Sequence, residues 1–387
     1  MYSFRTLKNN NYQLNETLFF GLFILPFLFC NNVFAQIETQ SVALVHSNES
    51  FTTEIVFENE NIIWGFTWLP DNSILACEKE GRLLRYTDGK VSTIKNVPEI
   101  TNRGQGGLLD IKLHPEYKNN GWLYFTYASP AEEGGSNTAL ARAKLEGDRL
   151  KNLELLYKAT PNSPKSHHFG SRIAFDALNN VYFSIGDRGN RDANPQDITR
   201  DCGKVYRLSD RGSIPEDNPF VNVKNAKKAI YSYGHRNPQG MTTHPKTGKL
   251  WIHEHGPKGG DEINILNKGS NYGWPIITYG LNYDGSTITT KTHKKGMEQP
   301  FYYWTPSIAP SGMSFVTSDY YPNWKNHLLV GSLKFEYLEL LKINDNRVYQ
   351  RIKLLEDFGR VRDIQQGPDG YIYLSVEGIG IVKIIKK

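Results

Sequence analysis

Several short polar stretches of this chain combine residue types that move protons and hold anions. His167-His168-Phe169-Gly170-Ser171-Arg172 offers imidazoles, whose ordinary pKa suits a general base near neutral pH. Gly234-His235-Arg236-Asn237-Pro238-Gln239 and Arg360-Val361-Arg362-Asp363 offer guanidinium groups, which bind carboxylate or phosphate bidentately. Gly331-Ser332-Leu333-Lys334 adds an ammonium, and Arg103-Gly104-Gln105-Gly106-Gly107 an amide in a glycine-rich turn. Arg236, Lys334, Arg360 and Arg362 together suit a ligand with several carboxylates or phosphates. The stretch from His255 through Gly256, Pro257, Asp261 and Glu262 to Tyr272 offers carbonyl and carboxylate oxygens. Hard oxygens of this kind suit calcium, not zinc.

Two familiar motifs are excluded by spacing. His253-Glu254-His255 begins like a zinc-protease helix, but Pro257 stands where the second histidine belongs. Gly104-Gln105-Gly106-Gly107 is not a dinucleotide fingerprint, because no helix pattern follows. Each remaining stretch also has an ordinary reading. A lone loop histidine is more often structural, the arginines suit surface ion pairs, Gly256 and Pro257 suit a turn, and Asp261 and Glu262 suit a cap. What favours function is that basic, aromatic and glycine-rich stretches recur at equivalent places.

Those places are set by a repeat. Six times an apolar alternating run enters a turn rich in Pro, Asp, Asn or Gly and is followed by a second β-rich run. The copies start at Gly65, Ile111, Ile173, Met241, Met313 and Ile364. An all-β repeat of this length predicts a six-bladed β-propeller, with four-stranded antiparallel blades around a central channel. In such a blade the loop entering the inner strand and the loop leaving its partner lie on one face. The polar stretches fall at those two positions, including Gly186-Asp187-Arg188 and Trp304 to Ser311, so they should ring one channel mouth. The residues between Gln36 and about Asn61 should supply the outer strand that closes the ring with the last blade. Long spacings predict loop insertions around Arg211–Lys228 and Asn282–Glu298.

The ends and composition set further bounds. Arg5 and Lys8, the apolar run Leu18 to Cys30, and Val33-Phe34-Ala35 read as an export signal at 1–35, cleaved after Ala35. Phe29 makes Cys30 a poor lipoprotein cysteine. The apolar run is too short to span a bilayer comfortably. A single domain at 36–387 remains, without linkers, low-complexity tracts or a transmembrane segment. Its charge falls from the +5 of the full chain to +4, and no basic block stands out, which argues against nucleic acid as a partner. Cys77 and Cys202 are expected to be small buried residues.

GQGGLLDIKLHP, HHFGSR, IPEDNPF, SYGHRNPQGM, EHGPKGGDEIN, NYGWP, APSGM and RVRD with GPDGYIYL carry a resemblance. From about Ile63 onward the chain resembles the soluble quinoprotein glucose/sorbosone dehydrogenases, and within them the bacterial aldose sugar dehydrogenases. The resemblance implies a six-bladed propeller using pyrroloquinoline quinone (PQQ) and calcium to oxidise aldoses to lactones. It implies His168 as general base and Arg236 as stabiliser of charge on the quinone oxygen. Gln105, Asn237, Tyr283, Ser332, Leu333, Lys334, Arg360, Val361 and Arg362 would contact the cofactor with Arg236, and Trp304 would stack near its plane. The carbonyls of Gly256 and Pro257 would hold the catalytic calcium, and Glu262 and Tyr272 resemble a second calcium site, read as backbone oxygens. One departure stands out: glucose-type members carry Asp before the catalytic histidine, where His167 stands here. An imidazole there would tune His168 less strongly than a carboxylate. Electrons would pass to an external acceptor, a small quinone or a cytochrome, since the chain has no Cys-x-x-Cys-His haem site. A monomer or homodimer is expected. A calcium-dependent propeller lactonase and a non-catalytic carbohydrate- or protein-binding propeller are the alternatives.

Overall fold

The computed structural model describes residues 42–386. The expected signal at 1–35 lies outside them. Six sheets follow one another along the chain. Blade 1 is built from strands Ile63–Trp68, Ile74–Glu78, Leu83–Thr87 and Lys90–Ile94, and blade 2 from Leu108–Leu113, Trp122–Pro130, Ser136–Glu146 and Arg149–Lys158. Blade 3 comprises Ile173–Phe175, Val181–Ile185, Lys204–Leu208 and Ile230–Tyr233, and blade 4 Pro238–Thr243, Leu250–Glu254, Asp261–Ile265 and Tyr302–Trp304. Blade 5 comprises Pro310–Phe315, Leu328–Ser332, Leu338–Ile343 and Val348–Leu355; blade 6 comprises Val361–Gln366, Ile372–Val376 and Gly380–Lys386. In each blade the first strand is innermost, and the six first strands neighbour one another in a closed ring. This is the six-bladed propeller the repeat predicts.

The fourth strand of blade 6 comes from the other end of the chain. Phe51–Glu58 pairs antiparallel with Gly380–Lys386, from Phe51 opposite Lys386 to Glu58 opposite Gly380. Main-chain hydrogen bonds thus close the ring as the sequence anticipates. A further strand, Leu44–His46, adds in parallel to the outer edge of blade 5, which the repeat gives no reason to expect.

The burial pattern follows from blade stacking. The second strands of blades 1, 3, 4, 5 and 6 are buried along their whole length, because a neighbouring blade covers each face. This is why they read as continuous apolar runs instead of alternating ones. Leu75, Cys77, Leu108, Phe125 and Ala141 pack between blades 1 and 2, and Trp324, Leu340, Ile364 and Leu374 between blades 5 and 6. Cys77 and Cys202 are both free and buried. The two insertions lie between the third and outer strands of blades 3 and 4. The second one bends back over its blade: Trp274 N–H donates to the Gly234 carbonyl at 2.9 Å, and Lys258 N–H to the Leu281 carbonyl at 3.1 Å. No helix among the described residues is long and apolar enough to cross a membrane.

The channel axis is filled by Arg172, 3% exposed, at the entrance to the inner strand of blade 3. Its guanidinium pairs with Asp363 of blade 6 at 2.9 Å and with Asp110 of blade 2 at 3.4 Å. It donates to the carbonyls of Gln239 in blade 4 and Arg362 in blade 6 at 2.8 and 2.7 Å, and lies 4.2 Å from the ring centroid of Trp64 in blade 1. Removing one partner from a buried charge cluster leaves the others uncompensated, at a cost of about 3–5 kcal/mol. Arg172→Met should therefore move the urea midpoint down sharply. An unchanged midpoint would show that the cluster does not hold the blades together.

Candidate active site

His168 sits on the crossover from blade 2 to blade 3. Its backbone is left-handed, with φ of 59°, as are Gly170 at 65° and Ser171 at 95°. A non-glycine residue holds such a conformation only when its surroundings fix it. The His168 N–H donates to the Gln105 side-chain oxygen at 2.8 Å. Its Nδ1 meets Asp187 Oδ1 at 2.7 Å. Asp187 follows the second strand of blade 3, so the predicted pairing of loop positions brings the two together. Gly186 is required at the turn between them: a Cβ there would fall 2.3 Å from the His168 carbonyl oxygen.

Asp187 is itself fixed on every side. Oδ1 also accepts the Gly189 N–H at 2.7 Å, Oδ2 accepts the Trp274 indole N–H at 2.9 Å, and its own N–H donates to the Arg236 carbonyl at 2.7 Å. Burial raises the carboxyl's pKa, but His168, the Arg236 charge and the Trp274 bond outweigh it and hold the group ionised. An ionised Asp187 requires the proton of neutral His168 to sit on Nδ1. Nε2, which makes no hydrogen bond within the described residues, is then the free acceptor. Burial drives the His168 pKa down to about 4, helped by the Arg236 charge and opposed by Asp187. His167, edge-on to the His168 ring with centroids 4.6 Å apart, is lowered as well, chiefly by burial.

Arg236 enters from the loop before blade 4. Its N–H donates to Glu254 Oε2 at 2.7 Å, and its Nη1 donates to the carbonyls of His255 and Gly256, both at 3.0 Å. No carboxylate pairs with its guanidinium among the described residues. Gly256 closes a tight loop in which a Cβ would meet the Gly259 carbonyl at 2.1 Å. Asp261 braces that loop, accepting the Gly256 N–H at 2.7 Å through one oxygen and, through the other, Ser307 Oγ and the Ile308 and Ala309 N–H groups.

The rest of the expected set divides. Arg360 and Arg362 do flank the mouth, but Glu377 accepts from both, from Arg360 Nε at 2.7 Å and from Arg362 Nε at 3.0 Å. The rim is therefore less cationic than the sequence suggests. Lys334 has no carboxylate partner among the described residues and lies 4.8 Å from the Phe335 ring centroid. Ser332 and Leu333 hold their loop by bonds to Ile308 and Ala309, the Leu333 carbonyl accepts Arg360 at 2.7 Å, and Val361 is buried. Asn237 accepts the Gly170 N–H at 3.1 Å. Two aromatics stand elsewhere than expected. Trp304 is 1% exposed and packs in the core of blades 4 and 5 with Tyr302, so its ring has no face open to a ligand. Tyr283 is 74% exposed and makes no hydrogen bond among the described residues. Trp274, delivered by the insertion, is the indole that reaches the site.

The donor sets fit the implied groups. Glu254, buried, and Glu262, half-buried, pair across neighbouring strands, and burial with the Glu254 charge pushes the Glu262 pKa up to about 8. Buried like charges in register are costly without a cation between them. Asn264 Oδ1 is buried beside them without a partner. Glu254, Glu262 and Tyr272 line one small cavity that reaches Arg236 and Gly256. Carboxylates, an amide oxygen and carbonyls are calcium donors. No group of three or more His, Cys, Asp or Glu side chains is set to hold a metal among the described residues, so carbonyls must complete any site. For a polyanionic cofactor, Arg236 and Lys334 offer uncompensated charge.

Asp187, Trp274, Glu254 and Glu377 escaped the sequence-based site set. Asp187 and Glu377 carried a usable signal, since both follow second strands. The pairing makes a prediction. Above its unfolded value near 6.5 His168 is neutral in both states, but between pH 6.5 and about 4 only the unfolded chain takes up its proton. The folded state should lose stability as pH falls through that window. Its His168 ring should titrate near pH 4 by NMR, and lower still in Asp187→Asn, where the partner that raises the value is gone. A midpoint near 6.5 would contradict the buried dyad.

Comparison with known proteins agrees with this architecture. The family model described as Glucose / Sorbosone dehydrogenase matches residues 60–382. Aldose sugar dehydrogenase YliI of Escherichia coli is 37% identical over 345 residues, covering 87% of this chain and 93% of that protein. Quinoprotein glucose dehydrogenase B of Acinetobacter calcoaceticus is 36% identical and covers 87% of each chain. The apo-form structure of the soluble aldose sugar dehydrogenase from Escherichia coli superposes with a TM-score of 0.83 at 34% identity, over 87% of this chain and all of that one. With the propeller, its polar mouth and this match in hand, the chain belongs to the glucose/sorbosone dehydrogenase family.

Proposed function

We propose that the protein oxidises aldose sugars at the anomeric carbon to lactones, as a PQQ- and calcium-dependent dehydrogenase. The observation that carries this reading is the His168–Asp187 dyad with its free Nε2, set beside a guanidinium that no carboxylate neutralises. The family match and the quinoprotein relative support the cofactor. Bound PQQ supplies the acceptor for the C1 hydride, and calcium held by the Gly256 and Pro257 carbonyls supplies Lewis acidity. His168 Nε2 takes the anomeric hydroxyl proton, so loss of hydride and proton leaves the lactone. Asp187 keeps the imidazole in the required tautomer and stabilises the imidazolium that forms, while Trp274 and Gly189 keep Asp187 from turning. Arg236 places positive charge where negative charge develops. Lys334, Arg360 and Arg362 hold the cofactor carboxylates, with Glu377 fixing the two arginines. Gln105 holds the backbone of the base as well as facing the mouth. Glu254, Glu262 and Tyr272 surround the second calcium. Electrons leave to an external small quinone or cytochrome. We also assign 1–35 as an export signal, leaving a chain that starts near Gln36 outside the cytoplasm, which N-terminal sequencing of exported protein would test.

His168→Gln should keep the fold and cofactor binding but lower kcat by about 10²–10⁴-fold, the usual contribution of a general base. His167→Gln should cost far less. Lys334→Ala should instead weaken cofactor binding, through loss of a charge-assisted contact of about 1.5–3 kcal/mol. Chelator dialysis should abolish dye-linked sugar oxidation, and PQQ with calcium together should restore it. Full turnover without either, or near-normal kcat in His168→Gln, would overturn the reading.

A further inference from the structure

Arg188, next in the chain to Asp187, is 1% exposed and has no carboxylate partner among the described residues. Its guanidinium lies 3.5 Å from the Phe169 ring centroid. Nη1 donates to the His167 carbonyl; Nη2 donates to the Lys165 carbonyl at 2.6 Å and weakly to the Ser136 carbonyl at 3.4 Å. Nε, although buried, donates to nothing among the described residues. An arginine in this setting costs several kcal/mol to bury, and here its charge answers only backbone dipoles. Two of those dipoles, at Lys165 and His167, belong to the segment just before His168, which leads into the left-handed residues His168, Gly170 and Ser171. Phe169, on the other side of His168, is held by the flat face of the same guanidinium.

We infer that Arg188 is a positioning residue for the base: it clamps the backbone before His168 and the ring after it, while the adjacent Asp187 clamps the imidazole. Two consecutive residues thus fix the loop from outside and the ring from within. A bulkier neighbour in the same turn is barred, since a Cβ on Gly189 would fall 2.1 Å from His167 Nε2. Lysine cannot replace this clamp, because an ammonium has no planar fork for two carbonyls and no face to lay on Phe169. This inference rests on His168 being the base only for its kinetic consequence; the geometric claim stands apart from the reaction.

The test therefore has two arms. In ¹⁵N-histidine-labelled protein without added cofactor, the His168 Nδ1–H held by Asp187 should give a proton signal protected from exchange, assigned by its absence in His168→Gln. Arg188→Ala and Arg188→Lys should lose or shift that signal while blade packing, followed by far-UV and near-UV circular dichroism, is kept. In PQQ- and calcium-loaded protein the same variants should lower kcat about 10–100-fold, as expected for a misplaced base, with KM for sugar changed less than about threefold. Millimolar guanidinium ion should restore part of kcat in Arg188→Ala by filling the vacated site, and should do nothing for Arg188→Lys, whose side chain occupies it. An unchanged Nδ1–H signal in a folded variant overturns the inference. So does a kcat loss with an unchanged signal and no guanidinium rescue. If Arg188→Ala does not fold, Arg188→Lys decides by the same two readouts. A shifted signal in a protein that oxidises no sugar leaves the positioning role intact and removes the reaction.

Discussion

The structure depends on a buried charge cluster at the propeller axis. Arg172 gathers Asp110, Asp363 and two carbonyls from three blades beneath the indole of a fourth. A fifth blade joins through Ser311, whose hydroxyl donates to the Arg362 carbonyl that Arg172 also uses. Isolated, such a cluster would be a poor source of stability, because desolvation of ions offsets their attraction. Its value lies in being satisfiable only when the blades meet in one register. Asp110 shows the dependence: burial raises its pKa, while Arg172 and the Ile173 N–H pull it back. The His168 loop begins four residues before Arg172, so the ring that seats the arginine also seats the His168–Asp187 pair.

The site then adds local strain to that global frame. His168, Gly170 and Ser171 all hold left-handed backbone within four residues. Each non-glycine example costs on the order of 1–3 kcal/mol and persists only if the surroundings over-determine it. They do so here from separate blades: Gln105 holds the His168 N–H, Asn237 the Gly170 N–H, and the Phe169 carbonyl accepts Thr138 Oγ1 at 2.6 Å. What the strain achieves is direction. It turns Nδ1 toward Asp187 and leaves Nε2 without a hydrogen bond among the described residues.

The repeat made the fold legible because stacked blades leave a periodic signature. Strand, turn and strand recur, and the runs are apolar wherever two blades cover them. The same topology placed His168, Arg236, Gly256 and Arg362 at one mouth without any side-chain geometry. Pairwise partnership was not legible. His167 stands where a carboxylate is expected, yet the carboxylate that meets His168 comes from Asp187, nineteen residues beyond His168. Glu377 was readable as a loop residue but not as the counterion of two arginines. Trp304 was placed near the cofactor by resemblance alone, whereas it ends the outer strand of blade 4 and turns into the core. The replacement indole, Trp274, lies in an insertion, where no repeat assigns a position.

These differences change how the electrostatics of the mouth should be understood. A ring of four bare cations would bind any polyanion and would lower the pKa of every nearby histidine. The structure instead has Glu377 shared by two of them and Asp187 fixed beside the base. Positive charge is left concentrated on Arg236 and Lys334. One lies beside the dyad and braces the Gly256 carbonyl; the other stands on the rim, open to solvent. In the proposed reaction the first would act on the reacting end of a bound ligand and the second would attract its far end. That separation is what differential stabilisation requires: charge near the reacting atoms lowers the barrier, while charge remote from them contributes to binding alone.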